Sequence, residues 1–272
     1  GTIAQRTEKR RPGYGFMQQD GTYVGDKANT VGQMMIGNNS GCDATKASDS
    51  ARQTVNYASC HDNYSLFDQF SGTLSTAKGF SICRAVTATN VAIMMGNGVA
   101  FMQGGEELFR TKIVSDEDAA KIRLPEDYVT INGIKIAHNA YKCSDATNAY
   151  DYSRKISVTY GDEECTCCKL YFDRLAAVIK LRSSLVYKAG PGTSGDPSYW
   201  NTDNGSTQMS YFIGTGGTSG YALLLAGSYA GNSQTLSSGN TYTEFAYVGS
   251  GTLSGTTVTS NECYSALVTK QN

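Results

Sequence analysis

The sequence predicts an α/β segment over residues 1–188 followed by an all-β domain over residues 189–272. Three observations predict it. Composition shifts near residue 188: charged residues are frequent before it, while Gly, Ser, Thr and Tyr dominate after it. Ahead of the shift, short β-prone runs alternate with helical spacing, in the strand–helix–strand–helix order of an α/β barrel. Behind it, short apolar runs separated by Gly-rich turns read as an antiparallel β-sandwich.

The elements follow in chain order. Residues 30–36 are a candidate strand, and Thr54-Val55-Asn56-Tyr57-Ala58-Ser59 is a short β-prone run. Residues 79–95 place Phe80, Cys83, Val86, Val91 and Met94 or Met95 near one stripe of a helix. Gly96-Asn97-Gly98 stops that helix, because a helix C-terminus favours residues tolerant of positive φ. Val99-Ala100-Phe101-Met102 reads as a second buried strand, and Tyr171, Leu175, Val178, Ile179 and Arg182 mark another amphipathic helix. A closed barrel needs eight strands, so this segment is expected to be only the C-terminal part of a (β/α)8 barrel. Gly190-Pro191-Gly192 is the expected boundary loop. Beyond it, 209–213, 221–226, 244–248 and 266–269 are the expected strands.

Composition narrows the function. A net charge of -1 gives no electrostatic reason to expect nucleic acid or an anionic membrane as partner. The one basic cluster, Arg6, Lys9, Arg10 and Arg11, reads as a solvated loop. No stretch approaches 18 consecutive apolar residues, so no membrane-spanning helix is expected. The first residues resemble neither a signal peptide nor a natural start, and the chain is read as beginning inside a longer protein. Eight cysteines fit a reducing setting. The cluster Cys165-Thr166-Cys167-Cys168 reads as free thiols ahead of a local disulfide or a metal site, since a structural metal takes four ligands and neither His lies nearby. No metal ligand is assigned.

The chemistry centres on Val55-Asn56-Tyr57-Ala58-Ser59-Cys60-His61-Asp62-Asn63, a strand ending in a His-Asp-Asn triplet. In a barrel, residues at the C-terminal strand ends face the active site. Alone, the triplet reads first as a hydrogen-bonded strand-end turn. Two further segments accompany it: Gly98 to Lys112, which includes Gln103-Gly104-Gly105-Glu106-Glu107, and Asn139-Ala140-Tyr141-Lys142-Cys143-Ser144-Asp145-Ala146-Thr147-Asn148.

These three segments, in this order, resemble the strand-seven, strand-eight and following-loop motifs of pullulanase-type enzymes of the α-amylase glycoside hydrolase family. The resemblance covers most of residues 50–188 and, more loosely, the tail. It implies a retaining hydrolase that cleaves α-1,6 branches of pullulan, starch or glycogen. It implies that Asp62 is the transition-state-stabilising carboxylate, and that His61, Asn63, Asn139, Tyr141 and Asp145 line the glucan subsites. Asp68 is expected to anchor the loop, Glu107 to pair with Arg110, and His138 to lie on the surface. The family's nucleophile follows an Arg-X-Asp strand and its general acid is a Glu on the next strand. Neither pattern precedes Asp62, so the missing N-terminal part of the same enzyme is an expected partner beside α-glucan. The isolated chain is then expected to be inactive. The alternative is a non-catalytic α-glucan-binding or assembly module. No cofactor is evident. The family often binds calcium, although no acidic loop here has a clear oxygen-ligand spacing. An extracellular or cell-surface setting is expected from the family.

Overall fold

The computed structural model describes residues 55–74, 79–96, 98–121, 128–131, 133–185, 199–202, 208–216, 219–227, 231, 233–236 and 239–272. The candidate strand 30–36, the basic cluster near residue 10 and the boundary at 188/189 lie outside these residues.

Strand β1 (Val55–Asn56) pairs in parallel with β2 (Val99–Ala100), in register Val55 to Val99. Parallel neighbours require a crossover. Here two helices supply it, α1 (Leu66–Thr73) and α2 (Gly79–Met95). The expected longer strands, 54–59 and 99–102, contribute only two ladder residues each. Among the described residues this pair is the only parallel sheet, and no barrel wall is formed. Its two faces differ. Asn56 and Ala58 are buried, whereas Val55, Tyr57, Val99 and Phe101 are 53%, 43%, 48% and 42% exposed. Alternation along a strand puts the exposed four on one face, where the Tyr57 and Phe101 rings meet edge-on with centroids 6.0 Å apart.

Helix α1 begins at Ser65, whose Oγ accepts the Asp68 amide at 3.1 Å, an ordinary N-cap. Helix α2 covers the span expected for it. The single apolar stripe, however, gives way to burial on every side from Ile82 to Met95. It lies between α1, helix α5 (Cys168–Arg182) and a β-sheet. Its hydroxyls turn back onto the helix: Thr87 donates to the Cys83 carbonyl and Thr89 to the Ala85 carbonyl. Buried Arg84 reaches out to the Cys263 carbonyl at 2.8 Å and the Glu262 carboxylate at 2.9 Å. Arg182 donates to the carbonyls of Met94, Gly96 and Gly98, satisfying acceptors that the end of α2 leaves open.

The polar excursion after β2 folds into a short helix, α3 (Asp116–Lys121), and a hairpin of β3 (Tyr128–Ile131) with β4 (Ile134–Ala137). A one-turn helix, α4 (Asp145–Asn148), follows. A second hairpin, β5 (Val158–Tyr160) with β6 (Glu163–Cys165), leads into α5.

The tail holds a five-stranded antiparallel sheet with strand order β11-β14-β9-β8-β7. These are β7 (Tyr199–Thr202), β8 (Gln208–Gly216), β9 (Ser219–Ala226), β11 (Tyr242–Val248) and β14 (Ser265–Gln271). A three-stranded sheet, in order β10-β13-β12, comprises β10 (Ser233–Thr235), β12 (Gly251–Ser254) and β13 (Thr257–Ser260). Ala222, Leu224 and Leu267 meet Leu236 and Val258 between the two sheets, which is the core of a sandwich. On the opposite face Leu223, Leu225, Ala266 and Val268 join the core that contains α2 and α5. Strand β9 is therefore buried on both sides, which accounts for its unbroken Tyr221-Ala222-Leu223-Leu224-Leu225-Ala226 run.

Candidate functional site

The His-Asp-Asn triplet forms a tight turn just past β1. The Asn63 amide donates to the Cys60 carbonyl at 3.2 Å, which makes His61 and Asp62 the two central residues. Both side chains stand out into solvent, 81% and 64% exposed, with His61 Nε2 3.3 Å from Asp62 Oδ1. Asn63 is half-buried, and its Nδ2 contacts Cys60 Sγ at 3.5 Å. The turn thus presents an imidazole and a carboxylate side by side at the C-terminal end of a parallel strand.

A residue to which the sequence assigned no role holds this turn in place. Lys112 is 1% exposed, and its Nζ donates to the carbonyls of His61 at 3.0 Å, Asn63 at 2.5 Å and His138 at 3.4 Å. Three ammonium protons meet three carbonyl oxygens, which satisfies both sides. Burial lowers the Lys112 pKa to about 8, against the pull of the Asp68 carboxylate. Asp68, expected as an anchor, is buried and accepts the Lys112 amide at 2.8 Å, the Ser65 hydroxyl at 2.7 Å and the Thr111 hydroxyl. Removal from water raises the pKa of this carboxyl despite those donors. The signal that could have identified Lys112 is its place, four residues past Leu108 at the end of the strand-eight segment, but a lone lysine reads as surface.

Lys112 also links the turn to the second candidate segment, because His138 immediately precedes Asn139. His138 is half-buried, not on the open surface, with its ring 5.2 Å from that of buried Tyr64. Asn139 Oδ1 accepts the Tyr141 amide at 3.4 Å, and Tyr141 is 73% exposed, offering an open ring face. The Lys142 ammonium lies 5.1 Å from that ring's centroid. Asp145 is exposed at the start of α4. Within the segment, Asn148 Nδ2 donates to the carbonyls of Ala140 and Cys143 at 2.8 and 3.0 Å. Buried Asp118 accepts the Ser144 amide and the Ser144 and Thr147 hydroxyls. These donors, Thr147 first, hold its carboxyl at a pKa of about 2.

The expected pairing of Glu107 with Arg110 is not formed. Glu107 accepts the Gly105 amide at 3.0 Å, while Arg110 donates to the Asn148 carbonyl at 3.0 Å and lies over the Tyr150 ring. Gly105 sits at φ +94°, where a Cβ would also approach Arg110 Cδ to 2.8 Å. Both constraints require glycine there.

Glu106 is buried beneath the turn, accepting from the Ser59 hydroxyl. Burial raises its pKa to about 7. The folded state therefore binds a proton more tightly than the unfolded chain. The contribution of Glu106 to stability is greatest below about pH 4.5, falls between about 4.5 and 7, and stays lowered above 7. Replacing Glu106 by Gln should stabilise the protein by about 2 kcal/mol above pH 7 and by almost nothing near pH 4. Melting curves of both proteins across that range check this.

Among the described residues the only convergent group of three or more His, Cys, Asp or Glu donors is Cys83, Cys165 and Cys168.

The chain matches no family model. A pullulanase of Klebsiella aerogenes is 26% identical over 151 residues, 52% of this chain and 13% of that protein. The Group B Streptococcus pullulanase SAP, solved in complex with maltotetraose, superposes with a TM-score of 0.73 at 17% identity, over 94% of this chain and 36% of that one. The catalytic module of the glycogen-degrading pneumococcal virulence factor SpuA, with an inhibitor, gives 0.71 at 17% identity, over 100% of this chain and 42% of that one. The pullulanase of Bacillus acidopullulyticus gives 0.68 at 19%, over 97% and 28%. The chain thus spans well under half the length of each of these relatives. In sequence and in fold it resembles the C-terminal portion of a pullulanase-type enzyme.

Proposed function

We propose that this chain is the C-terminal part of a retaining glycoside hydrolase that opens α-1,6 branches in α-glucans, and that β1 and β2 are the seventh and eighth strands of its barrel. One observation carries the reading. A parallel pair, backed by helices, leaves its other face apolar and open at Val55, Tyr57, Val99 and Phe101. Strands of parallel sheets are normally covered on both faces. The cover that suits this face is the rest of a barrel, whose mouth would then stand at His61 and Asp62.

In that mouth the sugar at the cleavage point is gripped by neighbouring hydroxyls. The Asp62 carboxylate accepts from them and the His61 imidazole donates. Such contacts strengthen as the ring flattens toward an oxocarbenium-like state, so they favour the transition state over the substrate. Tyr141 offers a ring face to a further glucose unit, with Asn139 and Asp145 beside it and Asn63 at the cleft edge. The nucleophile and the general acid come from the part of the enzyme ahead of Gly1, as in the family's order of motifs. An extracellular or cell-surface setting suits a polymeric substrate.

The test is release of reducing ends from pullulan. The whole enzyme should produce them, and the 272-residue chain alone should not, because it lacks the pair that breaks the bond. Turnover by the pure chain would refute this division of labour. Glucan binding without hydrolysis by the native protein would instead support a non-catalytic module.

A further inference from the structure

Cys83 meets two cysteines from more than eighty residues further along the chain under the β-sandwich. Cys83 lies on α2, Cys165 ends β6 and Cys168 opens α5. They are 0%, 1% and 0% exposed, and their sulfurs all lie within 4.8 Å of one another, with Cys83 and Cys168 at 3.9 Å. All three are free thiols. The sequence disfavours a metal at Cys165–Cys168, because a structural ion takes four ligands and neither His lies nearby. The third donor comes from a buried helix face more than eighty residues earlier, where a cysteine passes for core filling.

We propose that Cys83, Cys165 and Cys168 form a three-thiolate site for a thiolate-preferring metal ion such as Zn2+, with water or another small ligand in the fourth position of its tetrahedron. Thiolates at the usual zinc–sulfur distance of about 2.3 Å stand roughly 3.8–4 Å apart around one ion. The Cys83–Cys168 spacing of 3.9 Å already matches, and the other two sulfur pairs lie within 4.8 Å. A disulfide requires sulfurs about 2.05 Å apart and would leave the third thiol over. Soft sulfur donors select thiolate-preferring ions over calcium or magnesium. The Cys165-X-X-Cys168 spacing spans a turn into a helix N-terminus, where backbone dipoles favour the anionic sulfur. Charge is accommodated as well. One divalent ion with three thiolates carries a net single negative charge, and the Arg154 guanidinium lies within electrostatic reach of Cys83 and Cys168. Binding displaces three thiol protons into solvent, with no redox step. The bound ion would tie α2, the β5–β6 hairpin and α5 together beneath the sheet.

The experiment uses the protein carrying this chain, reduced under anaerobic conditions, loaded with Zn2+ and freed of excess by gel filtration. Elemental analysis should find one more equivalent of zinc per chain in the wild type than in a Cys83→Ser/Cys168→Ser variant, with Cys263→Ser matching the wild type. Cd2+ in place of Zn2+ should give a thiolate-to-metal charge-transfer band that the double variant lacks. Should that variant fold poorly, thiol alkylation of the wild type decides, in enough denaturant for the three buried thiols to react when metal is left out: zinc should protect three cysteines, identified by mass spectrometry as 83, 165 and 168. Equal zinc in wild type and double variant, no protection of these three, or a Cys165–Cys168 disulfide in freshly isolated protein would each overturn the proposal.

Discussion

Replacing Asp62 by Asn in the whole enzyme should lower kcat on pullulan by about a hundredfold to a thousandfold while leaving the melting temperature almost unchanged. The two halves of this expectation have separate causes. The side chain is 64% exposed and contacts exposed His61, so little folding energy rests on it. In the proposed site its charge would stand where positive charge develops on the sugar ring, and removing one such preorganised group costs about 10²–10³ in rate, or about 3–4 kcal/mol. Because those contacts tighten only as the ring distorts, the loss should fall on kcat more than on KM. Steady-state kinetics beside a thermal melt read both. An unchanged kcat would remove Asp62 from the mechanism.

Lys112→Met should also cripple the enzyme, by releasing the turn and not by touching substrate. Met keeps most of the aliphatic stem, so packing is largely retained. The carbonyls of His61, Asn63 and His138 lose their shared donor, and each buried acceptor left unpaired costs about 1–3 kcal/mol. The turn relaxes to find water, and His61 and Asp62 move with it. A displacement of about 1 Å in such groups can cost about a hundredfold in rate. The pH dependence separates this from simple unfolding. Lys112 titrates near pH 8 in the folded protein, below its unfolded value of 10.5. Above that pH the neutral amine has two N–H donors for three carbonyls, so wild-type activity should fall with an apparent pKa of about 8, and Lys112→Met should lack that limb. Stability moves the other way. The folded state disfavours the charged lysine, so that cost is fully present below pH 8 and is relieved as pH rises toward 10.5.

What was legible in the sequence follows from where the signal resides. Helices α2 and α5 and strands β8, β9, β11 and β14 were legible, because continuous or periodic apolar runs report burial directly. Strands β10, β12 and β13 were not. Ser233-Gln234-Thr235 and Gly251-Thr252-Leu253-Ser254 carry few apolar residues and lie among Gly turns, and only pairing within the small sheet makes them strands. The extent of burial around α2 was hidden as well, since the third layer that covers it comes from strands more than a hundred residues away. His61 and Asp62 could be singled out as a strand-end pair. Lys112 could not, because its role exists only where three carbonyls from two loops converge. Cys83 escaped for the same reason.

The central claim is that this chain completes an active site begun elsewhere in the same enzyme. The most direct measurement is the intact mass and N-terminal sequence of the native protein that carries it. That protein should be a polypeptide, or carry a tightly associated partner piece, with an Arg-X-Asp strand and a catalytic Glu ahead of Gly1. A native protein that begins at Gly1 and has no such partner would contradict it.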